Sequence, residues 1–162
     1  MKKIIIIAAI AVLAAFLIGC AKKDYKDDAS CSDVIGAAEK NAPVELGYES
    51  FDQSHVRFLF DDIELYDSFE LRYSTLSENI NEFGIFHAVD EKACNELYED
   101  VEEYLDELYE DKKAFISSYA PDELPKLERA QVKKFGNYVA YAILSDEERD
   151  AFFNSVKSAL LK

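Results

Sequence analysis

The sequence predicts an α+β domain: an antiparallel sheet of about four strands with helices packed on one face, in the order α-β-β-α-β-β-α. Three observations predict it. Two pairs of short apolar or alternating runs lie on either side of one long helical stripe, a Gly-Asn dipeptide joins the second pair, and capping residues open helices near both ends. Strands that follow one another in pairs favour antiparallel pairing, because parallel neighbours need a crossover between them.

Taken in order, Ser32 or Asp33 can cap a first helix running to about Lys40, with Val34, Ile35, Ala37 and Ala38 on its apolar side and Asn41 and Pro43 ending it. Residues 44–67 carry no clear period, with a helical turn expected around 54–60. Phe69 to Ser74 alternates Phe, Leu and Tyr with Glu, Arg and Ser, the signature of a half-buried strand, and Ile80 to Val89 is a second. Asp90 then caps the longest helix. Along it Ala93, Leu97, Val101, Tyr104, Leu105, Leu108, Phe115 and Tyr119 recur at steps of three and four as one stripe, closed by Pro121 and Pro125. Ala130 to Phe135 and Tyr138 to Leu144 flank Gly136-Asn137, suited to the positive φ angles of a tight hairpin. Ser145 and Glu148 have the spacing of a capping box, opening a final helix that turns Phe152, Phe153, Val156, Ala159 and Leu160 inward.

The N-terminus is of a different kind. Lys2 and Lys3 precede an unbroken apolar run of fifteen residues, Ile4 to Ile18. That length suits an export signal and falls short of the roughly 20 residues a membrane-crossing helix needs. Leu17-Ile18-Gly19-Cys20 follows, resembling the lipobox of bacterial lipoprotein precursors. The order has a chemical reason: a thiol is a strong nucleophile for taking up a lipid, and Gly19 lets a peptidase approach the backbone. The expected organisation is therefore a signal peptide at 1–19, a lipidated N-terminus with a flexible charged linker at 20–30, and one domain at 31–162. Lipid on Cys20 would hold the chain on the extracytoplasmic face of the cell membrane, each buried methylene contributing about 0.8 kcal/mol.

Lys and Arg number 18 against 33 Asp and Glu, a net charge of −15, and removal of the leader with its two lysines makes the remainder more negative still. Such a field repels phosphate backbones and anionic headgroups, so no nucleic-acid partner is expected, and the acyl chains would have to do the holding at the membrane.

Residues able to carry chemistry are few. Zinc wants three or four converging nitrogen or sulfur ligands, usually two of them close in sequence, and His55, His87, Cys31 and Cys94 supply no such pair. His87 shares its strand parity with Phe83, Ile85 and Val89, and Cys94 falls in the first turn of an amphipathic helix; packing is the simpler role for each. Outside the cytoplasm Cys31 and Cys94 can form a disulfide, stabilising by about 4 kcal/mol in the chain-entropy model. Acidic residues crowd the long helix at Glu96, Glu99, Asp100, Glu102, Glu103, Asp106, Glu107, Glu110 and Asp111, and cluster again at Asp61, Asp62, Glu64 and Asp67. Like charges four apart repel by a few tenths of a kcal/mol per pair. A solvated face is the simpler account, with a divalent cation or basic partner as the alternative; neither cluster has calcium-loop spacing. There is no tryptophan to serve a glycosidase cleft, no Gly-x-Ser-x-Gly elbow and no phosphate-binding glycine loop. No catalytic residues, metal ligands or cofactor are assigned.

The lipobox leader, Ile80-Asn81-Glu82-Phe83-Gly84-Ile85-Phe86, the acidic helix, Tyr119-Ala120-Pro121 and Lys133-Lys134-Phe135-Gly136-Asn137-Tyr138-Val139 together resemble a family of Gram-positive lipoproteins catalogued only as a domain of unknown function. The likeness runs from about Asp33 to the C-terminus. Its motifs are structural, so it implies fold and address but no activity. The function expected is a non-enzymatic binding or accessory module at the cell surface, contacting a protein or envelope component. A small extracytoplasmic enzyme with scattered site residues is the alternative.

Overall fold

A computed structural model describes residues 24–40 and 47–162. The leader at 1–19 and Cys20 lie outside the described residues, as does the start of the 44–67 stretch. Among the described residues the order is α1 (Cys31–Glu39), β1 (Tyr48–Ser50), α2 (Gln53–Leu59), β2 (Tyr66–Ser74), β3 (Glu82–Ala88), α3 (Glu91–Tyr119), α4 (Leu124–Glu128), β4 (Gln131–Phe135), β5 (Tyr138–Ile143) and α5 (Asp146–Leu160). The strands form one antiparallel sheet, ordered β1-β2-β3-β5-β4. The α+β class and antiparallel pairing are as expected; the sheet has five strands instead of about four, and α4 is additional. Pro125, expected to close the long helix, sits in the first turn of α4, where its missing N–H costs nothing.

The helices cover both faces, which corrects the expectation of one. Phe86, Ala88, Val139, Tyr141 and Ile143 pack with Leu97, Val101 and Leu105 of α3. Phe83, Ile85, Tyr138, Ala140 and Ala142 pack instead with Val34, Ile35 and Ala38 of α1 and with Phe152, Phe153, Val156 and Leu160 of α5. All six residues of β5 are buried. A strand buried on both sides must be apolar at every position, and Tyr138-Val139-Ala140-Tyr141-Ala142-Ile143 is. Each fully buried large side chain contributes about 1.5–3 kcal/mol.

The caps explain the boundaries. Ser30, not Ser32 or Asp33, caps α1, its Oγ accepting from Asp33 N at 3.4 Å. Asp52, Asp90 and Ser145 cap α2, α3 and α5, the last with the full capping box to Glu148. Helix α3 spans 29 residues, about 43 Å at 1.5 Å per residue, while six-residue β5 runs only about 20 Å. The helix therefore outruns the sheet. Phe115 and Tyr119, expected at the end of a buried stripe, are 62% and 75% exposed and stack on each other at 4.6 Å between ring centroids.

Residues 24–30 differ from the flexible linker expected of them. Tyr25 bridges to Leu161 and sets its ring edge-on against Phe135 at 5.8 Å, beside Gly136, whose φ of +66° makes the β4–β5 turn. Lys26 N donates to Leu160 O at 2.8 Å, and Tyr138 hydroxyl donates to Ala29 O at 2.8 Å. One aromatic ring supplies the apolar contact that the charged composition hides. Asp27 completes the strap: in its protonated form His87 donates from Nε2 to Asp27 Oδ1 at 3.2 Å and from Nδ1 to Asp67 Oδ1 at 2.8 Å, while its ring lies against Tyr138.

Two outcomes are expected. A Cβ on Gly84 would stand 2.1 Å from Leu71 Cδ2 and 3.1 Å from Glu70 O, so Gly84→Ala should cost about 1–3 kcal/mol in urea unfolding. Burial alone would lower the pKa of His87, but its bonds to Asp67 and Asp27 outweigh this and leave it raised. The stabilisation is then present below about pH 6.5 and fades as pH rises through the folded value. His87→Gln should flatten that decline in a pH series of thermal melts.

Candidate functional site

Where α3 passes the end of the sheet, its apolar stripe has nothing flat to lie on. A cavity of about 530 Å³ opens there, walled by Ile80, Leu108, Ile116, Leu127 and Ile143, with Phe115, Asp111 and Lys112 at its mouth. The turn after α3 carries the chain back beneath it. Ile80 N donates to Glu123 Oε2 at 3.1 Å, and Lys126 Nζ donates to the same carboxylate and to Oδ1 of buried Asn81, both at 2.8 Å.

Glu82, the first residue of β3, forms part of the lining. Its parity places it on the α3 side of the sheet with Gly84, Phe86 and Ala88. Two hydroxyls donate to the same oxygen, Oε1: Tyr104 of α3 at 2.8 Å and Tyr141 of β5 at 2.7 Å. Burial pushes the Glu82 carboxyl up, and the bonds from Tyr141 and Tyr104 only partly offset it. Both tyrosine hydroxyls are in turn pushed far up by burial and by the carboxylate beside them, so they remain donors. Phe60 braces the pair, its ring 5.1 Å from Tyr104 and 6.5 Å from Tyr141. The arrangement holds a carboxylate in one orientation at the base of an apolar chamber, and its chemistry is that of a hydrogen-bond acceptor.

This site was not singled out from sequence, where Tyr104 counted only as core and Glu82 as a strand residue. The signal was present: Glu82 is a charged residue directly before the apolar run Phe83-Gly84-Ile85-Phe86, on the same parity as Phe86, and a carboxylate drawn toward a core needs partners.

The residues that were singled out lie apart. Cys31 and Cys94 are free thiols, one in each of the two cores on opposite faces of the sheet. Cys31 Sγ faces Ser68 Oγ at 3.5 Å and Cys94 donates to Gly136 O at 3.5 Å. Burial raises both thiols. His55 is exposed on α2 beside Asp52, while His87 lies in the strap contact on the other face. The two acidic clusters do meet: Asp61 and Asp62 line one cavity with Asp100, Glu103 and Glu107. Among the described residues no three His, Cys, Asp or Glu side chains are placed to hold a metal ion.

The carboxyl of Asp100 is raised by burial and then by Asp62, Glu103, Asp61 and Glu96. A folded value above the unfolded one means its charge opposes folding, and the penalty is relieved as pH falls. Asp100→Asn should therefore raise the melting temperature at neutral pH by about 1 °C, the gain shrinking toward about pH 4; differential scanning calorimetry at the two pH values measures it.

No curated protein and no solved structure matches the chain. A family model does match, over residues 49–144, from β1 through β5 and including Glu82, Tyr104 and Tyr141. That stretch leaves out α1, α5 and the strap, and is narrower than the likeness traced from Asp33 to the C-terminus. It covers more than half the chain, which thus belongs to the family described as a domain of unknown function, DUF4358.

Proposed function

We propose that the chain is a lipid-anchored binding module on the extracytoplasmic face of the cell membrane, non-enzymatic, with the Glu82 cavity as its ligand site. The observation that carries the binding half is a carboxylate fixed by two tyrosines at the base of an apolar cavity of about 530 Å³. Cavities of this size with few polar groups among apolar walls are the usual form of small-molecule sites. A single fixed acceptor orients a ligand; acid–base turnover would call for a second group within reach of the reacting atoms.

The address rests on the leader: two lysines, fifteen apolar residues and Leu17-Ile18-Gly19-Cys20. No helix of the described residues is long and apolar enough to cross a membrane. The acidic surface suits the arrangement, since it keeps the body off anionic headgroups.

Cells expressing the full chain and fed radiolabelled palmitate should yield a labelled polypeptide in the membrane fraction, and Cys20→Ser should abolish the label. An unlabelled wild-type chain recovered with soluble contents would overturn the anchor.

A further inference from the structure

We propose that the Glu82 cavity takes a small organic cation, an ammonium group on a short apolar body, with the ammonium seated on the second carboxylate oxygen of Glu82. This rests on the cavity being the ligand site, and names what it selects.

The geometry divides the carboxylate in two. Oε1 is occupied by both tyrosine hydroxyls, at 2.8 and 2.7 Å. Oε2 has no hydrogen bond among the described residues, yet Glu82 lines the cavity and keeps part of its surface accessible through it. The hydroxyls can only donate to the carboxylate, so the visitor is asked for a donor and not for an acceptor. Lys126, a partly buried cation nearby, is engaged by Asn81 and Glu123. Asp111 and Lys112 at the mouth oppose each other in sign, leaving the charge at the base to choose the ligand.

Charge complementarity decides among ligand classes. An anionic ligand would bring a second negative charge into an apolar chamber of a protein whose net charge is −15, where such charges repel strongly. A neutral alcohol could donate one hydrogen bond. An ammonium donates the same bond with charge on both partners, and charge-assisted bonds are roughly twice as strong as neutral ones. The body must be apolar because Ile80, Leu108, Ile116, Leu127 and Ile143 offer it nothing else.

The test is isothermal titration of the full chain in detergent micelles, with heats from empty micelles subtracted, against hexylammonium, hexanol and hexanoate. Hexylammonium should bind about tenfold more tightly than hexanol, and hexanoate should give no heat of binding. Glu82→Gln keeps an oxygen for the two tyrosines and should bring hexylammonium down to the level of hexanol. Leu108→Trp, which fills the chamber and leaves Glu82 in place, should abolish binding of both; far-ultraviolet circular dichroism checks that each variant is folded, and should Glu82→Gln not fold, Leu108→Trp and the order of the three probes still decide. Equal affinity for hexylammonium and hexanol would overturn the cation while leaving the cavity as a ligand site. No binding of any probe would overturn both. An undiminished preference in folded Glu82→Gln, or binding that survives in folded Leu108→Trp, would place the ligand elsewhere and overturn the assignment.

Discussion

Strands β3 and β5 have no side facing water, and the rest of the molecule follows from that constraint. Helix α3 must lie over Phe86, Val139 and Tyr141, and α1 with α5 must lie over Phe83, Ile85 and Ala140. Close packing admits little slack in such a sandwich. Gly84 shows how tightly the layers are fitted, since the space where its side chain would stand already belongs to Leu71 of the neighbouring strand. The cavity is the place where the rule lapses, because a 29-residue helix cannot be matched by strands of six to nine residues.

Glu82 differs in kind from the acidic residues that dominate the composition. Most of those along the outer side of α3 are exposed, and water with its ions weakens their repulsion. Glu82 faces the inner side, between two tyrosines and a wall of aliphatic groups, where screening is weak and orientation is fixed. A surface carboxylate sets solubility; this one can discriminate between ligands.

Much of the fold was legible in the sequence because its signals are local. The capping residues Asp90 and Ser145, the Gly136-Asn137 turn and the stripe from Ala93 to Leu105 all act within a few residues of themselves. Coverage of both faces was written there too, in a β5 run buried at every position and in the Phe83-Gly84-Ile85-Phe86 centre of β3, apolar on both parities, but reading it requires weighing parity against length. Strand β1 has three residues and is held by pairing with Tyr73 and its neighbours, a partner distant in sequence. The Glu82 site depends on α3, β3 and β5 meeting, so no window of sequence contains it. The strap at 24–30 escaped for a simpler reason: average polarity concealed one well-placed ring, Tyr25.

The strap has a geometric consequence. It fastens the start of the described chain to the pole of the sheet where His87, Tyr138 and the β4–β5 turn lie. Glu82 and Ile143 mark the opposite pole, about 17 Å away along the strands. From Cys20 to Asp24 the backbone can reach no more than about 14 Å. The acyl group proposed for Cys20 would thus moor the molecule by this end on a short line. The mouth beside Phe115 lies at the pole far from that mooring, which sets it where a ligand dissolved in water can reach it.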